Sequence, residues 1–434
     1  MTDNTEHLDP VDTLVVGGGL AGLVAATTAA QPGHRVVLLD PRPVGGRARC
    51  DQRGDYTFNR GPRALYLGGT ARPIFESLGV DTSGGSPAVP GAQGRLDGVL
   101  HLLPQGPGSL LRTSMLAMRE KVRFARLLAG LPKIKAASLA GMSFGDFLAD
   151  QRLSPTAADV VRMIARVATY SGDPDQVDAE AVVTNIQLAL GEGVRYLDGG
   201  FQSLVDGLQA AAQRAGVEVR SVGAASVRPA TDSDDQPSVT TIDGHVINAA
   251  NVVVAAGSPA AAASLLGEPV KGAEGLTTPV TAACLELGLR RPPRHRVLFG
   301  VGEPLYVSTH CPPARLAPEG HAVVHAMRNH RADETLDPGE QRAWLRAAAA
   351  QAGVADDDVV EERFLAEMAV SGGLPTAAGG GLAGRPTVAD PSRPGVLLAG
   401  DWVGAAGLLA DAAAASGAEA GHRASMRWTT MAVA

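Results

Sequence analysis

The chain has 434 residues, of which 45% are hydrophobic and 19% are charged, and its formal net charge is −7. This length predicts two domains, and the composition excludes an intrinsically disordered chain. The negative charge argues against nucleic acid as the main partner, and three widely spaced cysteines argue against a disulfide framework.

The chain begins with the pattern of a strand, a glycine turn and a helix. Thr13–Val16 predicts a buried strand, Gly17–Gly22 has the sequence GGGLAG, and Leu20–Ala30 predicts a small-residue helix. A second apolar run, Arg35–Leu39, ends in Asp40, whose carboxylate can accept hydrogen bonds from ribose hydroxyls. This order predicts a βαβ unit that holds a dinucleotide pyrophosphate at the helix N-terminus. The residues expected to contact the cofactor here are Gly17, Gly19, Leu20, Ala21, Gly22 and Asp40.

The same hexapeptide, GGGLAG, occurs again at Gly379–Gly384. The segment before it, Leu374–Ala378, lacks a strand pattern, and Arg385-Pro386 stops any helix directly after it. A dinucleotide fingerprint requires both flanking elements. The second copy is therefore predicted to be a loop that binds no nucleotide.

The middle of the chain changes from helical to strand-like patterns. Ser109–Leu148, Pro155–Leu190 and Phe201–Ala215 predict helices, residues 278–328 alternate strand-like runs with proline-rich turns, and Glu340–Ala352 predicts a further helix. Short strands are predicted between these regions at Val217–Val222, Ser238–Ile242 and Val252–Ala255.

Three further features favour FAD over NAD. Gly45-Gly46-Arg47 combines bare backbone with a guanidinium group that can meet a diphosphate. Phe58–Pro62 predicts a turn that leads into the second layer of the protein. Near the end of the chain, the strand pattern Gly395–Ala399 is followed by Gly400-Asp401-Trp402 and then by a small-residue helix from about Leu408.

These motifs together resemble those of the flavoprotein superfamily of amine oxidases, protoporphyrinogen oxidases and phytoene desaturases. The chain is most similar to its bacterial phytoene-dehydrogenase-like members. The resemblance implies an α/β fold, with a Rossmann-like FAD-binding domain interleaved with an α+β substrate domain. The FAD-binding domain would comprise residues 1–100, 195–277 and 386–434, and the substrate domain residues 101–194 and 278–385.

The resemblance also implies roles for individual residues. Arg47 would lie near the FAD phosphates, Val227 would offer its backbone to the adenine, and Asp401 would lie near the ribityl chain. The helix N-terminus at Leu408-Leu409 would point its N–H groups at the pyrimidine end of the flavin, where reduced flavin carries negative charge. No cysteine stands near Leu408, so non-covalent FAD is expected. Further cofactor contacts are expected at Gly46, Gly61, Pro62 and Gly400.

The reaction is less closely defined by the sequence. Amine oxidases of this superfamily hold a lysine near the flavin, but the corresponding stretch Thr278–Leu287 has none, and Lys271 just upstream is predicted to lie at the surface. The desaturase-like resemblance implies hydride removal from a hydrophobic small molecule, with reoxidation by oxygen or another acceptor. The alternatives are a redox-neutral FAD-dependent isomerase or cyclase, a flavin amine oxidase, and a non-catalytic FAD-binding protein.

No catalytic side chain is assigned by the sequence. Arg63, Tyr66 and Trp402 each have two interpretations, contact with the flavin or substrate and packing between the domains. Three histidines lie on or beside a predicted strand without an acidic or cysteine ligand beside them, so no metal site is predicted, although a substrate-side role for one of them stays open. They are His321, His325 and His330.

Residues 110–136 are strongly basic, with seven cationic side chains against the single acid Glu120. One interpretation is an amphipathic helix that lies on an anionic bilayer, and the other is a solvated helix face in the substrate domain. No leader pattern occupies the first ten residues and no apolar run reaches about 18 residues. The expected location is cytoplasmic, with peripheral contact to the inner face of a membrane as the alternative. The predicted amphipathic face of residues 110–136 carries Arg112, Arg119, Arg123 and Arg126 beside Leu111, Met115, Met118 and Val122.

Overall fold

The computed structural model describes residues 11–231, 235–276, 279–332 and 334–432, with side chains described as far as residue 426. Its strands form two seven-stranded sheets and two small ones. The strands are β1 (Val11–Val16), β2 (Val36–Leu39), β3 (Asp51–Arg53), β4 (Tyr56–Phe58), β5 (Leu65–Tyr66), β6 (Gly84–Gly85), β7 (Gln93–Leu96), β8 (Val99–Leu102), β9 (Val194–Leu197), β10 (Glu218–Arg220), β11 (Ala224–Arg228), β12 (Ser238–Thr241), β13 (Val246–Val254), β14 (Val280–Leu289), β15 (Val297–Gly300), β16 (Leu305–Cys311), β17 (Ala322–Asn329), β18 (Val359–Ser371) and β19 (Val396–Leu398).

Helices separate many of these strands, and several begin at a capping side chain. Five start after a Ser or Asp whose side chain accepts a backbone N–H of the first turn, which fixes where the helix begins. These caps are Ser143, Ser154, Asp178, Ser258 and Asp337. The helices are α1 (Leu20–Ala29), α2 (Ala71–Ser77), α3 (Pro107–Arg112), α4 (Met118–Gly130), α5 (Phe144–Asp150), α6 (Pro155–Thr169), α7 (Ala179–Leu190), α8 (Gln202–Arg214), α9 (Pro259–Leu266), α10 (Pro338–Gln351) and α11 (Leu409–Ala432).

The first large sheet has the strand order β10-β2-β1-β13-β12-β11, with β19 paired to β13. Strands β10, β2, β1, β13 and β19 are parallel, whereas β11 and β12 form an antiparallel extension. Leu14 and Val15 of β1 have no exposed surface. A continuous apolar run is what a parallel strand needs when both of its faces are covered. The predicted βαβ unit therefore forms the centre of a Rossmann-like domain.

Helices α1 and α11 pack unusually closely because α11 presents glycines to α1. A Cβ atom at Gly417 would lie 2.4 Å from the carbonyl oxygen of Ala21, and one at Gly421 would lie 2.6 Å from that of Ala25. Larger side chains would separate the helices. The small residues of the last helix thus fix its position against the helix that follows the glycine turn.

The second large sheet has the order β18-β14-β17-β16-β15-β7-β8 and is antiparallel apart from the β15–β7 pair. Helix α10 packs on this sheet, and α4 to α7 contribute to a separate apolar core. The α/β fold with an interleaved α+β domain is confirmed. Strands β7 and β8, which lie within the predicted first FAD-domain segment of residues 1–100, pair in this second sheet.

Three local predictions can be compared with the backbone. The second GGGLAG copy, Gly379–Gly384, forms consecutive turns without a strand before it, as predicted. The basic segment is not one helix, because Thr113–Ala117 separates α3 from α4. Within that link Met115 and Leu116 are buried in the helical core, and this burial competes with continuation of the helix. The segment predicted to correspond to the lysine strand becomes β14, although Thr278 lies outside the described residues.

Candidate cofactor site and active site

A cavity of about 980 Å³ is lined by residues from the Rossmann-like sheet, from β18 and from the start of α11. Twelve of the fifteen predicted cofactor contacts line it, so motifs separated by hundreds of residues meet at one place. They are Gly17, Gly19, Leu20, Ala21, Asp40, Gly46, Arg47, Pro62, Gly400, Asp401, Leu408 and Leu409.

The other three predicted contacts lie behind the wall. Gly22 is enclosed by backbone, and Gly61 donates its N–H to Glu286 at 2.8 Å. Val227 is buried in β11, pairs with β12 and is not among the described residues that line the cavity. Gly223 and Ala224, at the beginning of that strand, line the cavity instead.

The glycine turn leaves bare backbone where a diphosphate needs it. Gly17 has φ +106°, and a Cβ atom there would lie 2.5 Å from the carbonyl oxygen of Ala255. Gly19 precedes α1, and no atom lies within 4 Å of where its Cβ would be. Because the first N–H groups of a helix have no intrahelical partner, this end of the cavity fits the pyrophosphate of FAD.

Asp40 both lines the cavity and holds the turn. Its Oδ2 accepts the N–H of Gly18 at 2.8 Å, and its Oδ1 accepts the N–H of Arg42 at 2.9 Å. Each carboxylate oxygen can accept more than one hydrogen bond. Asp40 can therefore fix the glycine turn and still accept a ribose hydroxyl.

Arg47 and Asp401 form a bidentate ion pair between the GGR and GD motifs. The two hydrogen bonds are 2.9 Å and 2.7 Å long, and Asp401 also accepts the N–H of Gly372. Burial alone would lower the pKa of Arg47, but the charge and hydrogen bonds of Asp401 raise it overall. Arg47 therefore stays protonated on the cavity wall, where its guanidinium N–H groups can meet phosphate oxygens, although Asp401 balances its charge.

A second buried carboxylate, Glu286 of β14, supports the wall at Gly61 and was missed by the sequence analysis. Its side chain is 0% exposed and pairs with Arg363 of β18, and Nε2 of His325 lies 3.2 Å from it. Burial would raise the pKa of Glu286, but His325, Arg363 and the N–H of Gly61 together lower it. A lone acid inside an otherwise apolar strand was the available signal in the sequence.

Arg363 connects this buried pair to the cavity. It also contacts Asp51, whose carboxylate binds Arg60 at 2.9 Å and 3.0 Å. The hydrogen bond from Arg60 is the main cause that lowers the pKa of Asp51, and Arg363 adds to it. Asp51, Arg60 and Arg363 line the cavity, and the buried Glu286 is the second carboxylate paired with these two guanidinium groups.

Arg63 and Tyr66 both line the cavity, whereas Trp402 does not. Arg63 donates to the carbonyl oxygens of Asn59 and Arg47, and burial lowers its pKa. Trp402 is 0% exposed in the Rossmann-like core, and its indole donates to the carbonyl of Ala256 at 3.0 Å. For Trp402 the structure supports the packing interpretation.

Two tyrosines contribute ring surface to the cavity, and only Tyr66 was singled out by the sequence. The hydroxyl of Tyr66 donates to the carbonyl of Ala168 at 3.4 Å, and that of Tyr170 donates to the carbonyl of Pro62 at 3.1 Å. Burial raises the pKa of both hydroxyls. Both hydroxyl protons are therefore held by backbone carbonyl oxygens.

The three predicted histidines have separate surroundings. The ring of His321 bonds the hydroxyl of Tyr56 at 2.7 Å, His325 lies beside Glu286, and His330 bonds Thr281 and Gln341. Among the described residues, no group of three His, Cys, Asp or Glu is placed to hold a metal ion. None of the three histidines lines the cavity in the described part of the chain.

Asp411, in the first turn of α11, is a buried acid on the cavity wall. It accepts the N–H of Ala71 at 2.7 Å, and Gly69 lies so close that no Cβ would fit. Burial raises the pKa of Asp411 to about 6. The sequence analysis missed this residue because neither its spacing nor its type marks it.

Asp411→Asn is expected to flatten the dependence of stability on pH. Because the folded-state pKa of about 6 lies above the ordinary 3.8, Asp411 favours folding below pH 3.8, and this contribution is lost as the pH rises through 6. The loss is up to about 3 kcal/mol. Urea unfolding at a series of pH values from about 4 to about 7 measures this loss of stability. Asparagine keeps the acceptor for Ala71, so an unchanged pH profile in the variant would contradict the assignment.

Comparison with known proteins places these features in context. The family model described as flavin containing amine oxidoreductase matches residues 20–423. The 15-cis-phytoene desaturase of Glycine max is 29% identical in an alignment of 221 residues that covers 44% of this chain and 38% of that enzyme. That of Arabidopsis thaliana is 26% identical over 216 residues, again 44% and 38%. The chain thus aligns with less than half the length of these curated relatives.

Solved structures share the fold over nearly the whole chain. Cyclohexylamine oxidase from Brevibacterium oxydans has a TM-score of 0.70 at 16% identity, covering 96% of this chain and 98% of that one. An oxidoreductase from Methanosarcina mazei has a TM-score of 0.70 at 17% identity, covering 95% and 99%. At such identities the likeness establishes the fold alone.

Proposed function

The chain belongs to the family of flavin-containing amine oxidoreductases, and on that premise we propose that this FAD-dependent enzyme dehydrogenates a hydrophobic, uncharged small molecule. Bound FAD supplies the hydride acceptor. The observation that carries the proposal is the wall formed by β18 and the two tyrosines. Leu365, Met368 and Val370 line the cavity beside Tyr66 and Tyr170, whose hydroxyl protons are already held by carbonyl oxygens.

Amine oxidation fits this wall less well. Arg60, Arg63 and Arg363 line the cavity, and there is no lysine among the described residues that line it. The nearby carboxylate Asp51 is already paired with two of these arginines. Glu286 also neutralises Arg363, so Arg63 is the arginine of this wall that has no carboxylate within ion-pair distance among the described residues. Its charge would repel an ammonium group where water is excluded, and it therefore favours an uncharged substrate over a cationic one.

The residues of the chain have separable tasks in this proposal. Arg47 presents positive charge to the cofactor phosphates, and Asp401 keeps the guanidinium oriented. The N-terminus of α11 at Leu409 favours negative charge on the adjoining part of the cofactor. The apolar side chains exclude water and hold the substrate, so positioning contributes more to catalysis than proton transfer does.

The test is anaerobic reduction of the purified flavoprotein by two classes of compound. We expect the visible flavin band to bleach with 15-cis-phytoene in mixed micelles and to persist with putrescine or cyclohexylamine. Bleaching by the amines alone would overturn the proposed substrate class. Conversion of the polyene without bleaching, and without consumption of an acceptor, would identify a redox-neutral isomerase instead.

Tyr66→Phe and Tyr170→Phe are expected to retain reduction of the flavin within about tenfold of wild type. Each change removes one hydroxyl that donates to a backbone carbonyl, which is worth about 1 kcal/mol, and leaves the ring surface in place. Single-turnover bleaching rates measure the effect. A loss of several orders of magnitude in either variant would show that a tyrosine proton takes part in the chemistry. Tyr170→Ala is the matched control, because it also removes the ring.

A further inference from the structure

The outer surface of α3 and α4 combines cationic and apolar side chains. Leu111 and Met118 are each 65% exposed, and Val122 is 50% exposed. Four exposed arginines lie on the same two helices. We call this set of seven residues the arginine face: Leu111, Arg112, Met118, Arg119, Val122, Arg123 and Arg126.

The fold holds these residues outward because other positions of the same helices are used for packing. Phe124 and Leu127 of α4 are buried in the helical core. Lys121 is buried as well, and its ammonium donates to the carbonyl of Leu111 at 2.8 Å, which ties α4 to the end of α3. Leu111, Met118 and Val122 are therefore held at the surface and do not pack in the core.

The arginine face carries more positive than negative charge. Within the described part of the chain, no carboxylate lies within ion-pair distance of Arg112, Arg119, Arg123 or Arg126. Glu120, the acid of this segment, accepts the N–H of Ala117 at 2.9 Å and so caps α4. The whole chain carries a net charge of −7. A local cationic surface on an acidic protein indicates an anionic partner.

We propose that the arginine face binds an anionic lipid bilayer. The guanidinium groups would contact lipid phosphates and carboxylates, and Leu111, Met118 and Val122 would enter the boundary between headgroups and acyl chains. A nucleic acid would use the arginines but would leave these apolar side chains in water. The contact that we propose is peripheral. Among the described residues, no helix combines the length and the apolar character of a membrane span. The proposal is independent of the substrate class.

Vesicle flotation of the flavin-loaded protein tests this surface. We expect binding to phosphatidylcholine vesicles that contain phosphatidylserine, weaker binding as salt increases, and little binding to phosphatidylcholine alone. Arg119→Gln/Arg123→Gln is expected to weaken binding about 25-fold, because each arginine near an anionic surface contributes about fivefold. Met118→Ser/Val122→Ser is also expected to weaken it, since insertion loses apolar area.

The matched control is Arg214→Gln/Arg294→Gln, which removes the same charge from two exposed arginines elsewhere. It is expected to bind vesicles like wild type, and thermal unfolding and flavin content should be equal in all variants. Absence of flotation at low salt would overturn the proposal. So would wild-type binding by the Arg119/Arg123 variant. Binding to a DNA duplex at equal salt, unaffected by Met118→Ser/Val122→Ser, would assign the arginine face to nucleic acid instead.

Discussion

Gly22→Ala is expected to yield protein without bound flavin. A Cβ atom at this position would lie 1.9 Å from the carbonyl oxygen of Gly17 and 3.1 Å from the Cβ of Ala255. Both neighbours belong to the turn and the strand next to it, so the clash can be relieved only by moving α1 away from β1. Overpacking of this kind costs about 3 kcal/mol. The ratio of flavin absorbance to protein and the urea midpoint measure the two consequences.

Substitutions at two other glycines distinguish a local clash from a general loss of stability. Gly19→Ala adds a methyl group where no atom lies within 4 Å, so the apoprotein should keep its stability while FAD binds less tightly at the crowded phosphate. Gly130→Ala, in an equally open position at the end of α4, should leave flavin content unchanged and raise stability slightly, because alanine favours the helix. Full flavin content in Gly22→Ala would contradict the role of the turn. Flavin loss in Gly130→Ala would show that the effect is not local.

The twin hexapeptides show what could be predicted from the sequence. Both copies have the sequence GGGLAG, and only the copy at Gly17–Gly22 lies between a strand and a helix. Apolar periodicity and the flanking Arg385-Pro386 distinguished them, because these signals act within about ten residues. The motif residues that line the cavity could be predicted for the same reason, since each motif carries its own local pattern.

Partners that lie far apart in the chain could not be predicted. Arg47 meets Asp401 across 354 positions, and Arg363 meets Glu286 across 77. Residue type shows that a charge is present, but the fold alone decides which charge faces it. The same reason explains the break between α3 and α4, where burial of Met115 and Leu116 outweighs helix propensity. Membrane contact and substrate choice depend on surfaces that tertiary packing creates, so local sequence patterns do not determine them.

The second large effect is expected for Glu286→Ala, with a loss of about 3 to 5 kcal/mol in unfolding free energy. The change leaves the N–H of Gly61 without its acceptor and removes one of the two carboxylates that neutralise Arg363. Because the partners of Glu286 lower its pKa, its stabilisation is present above the ordinary pKa of a glutamate. It is lost as the pH falls through the lowered value. Urea unfolding at neutral and acidic pH measures both features.

Glu286→Gln distinguishes the charge of this residue from its hydrogen bonds. Glutamine can accept from Gly61 or from Arg363, but its amide cannot serve both, so an intermediate loss of stability is expected. Glu303→Ala is the matched control: it breaks another Arg–Glu pair, with Arg95, whose two residues do not line the cavity. Glu303 is 30% exposed in its side chain, so its removal should cost less and leave flavin content unchanged. If Glu286→Ala and Glu303→Ala lose equal stability and both keep their flavin, Glu286 supports the sheet only. Flavin loss confined to the Glu286 variants would show that the hydrogen bond from Gly61 to Glu286 supports the cofactor site.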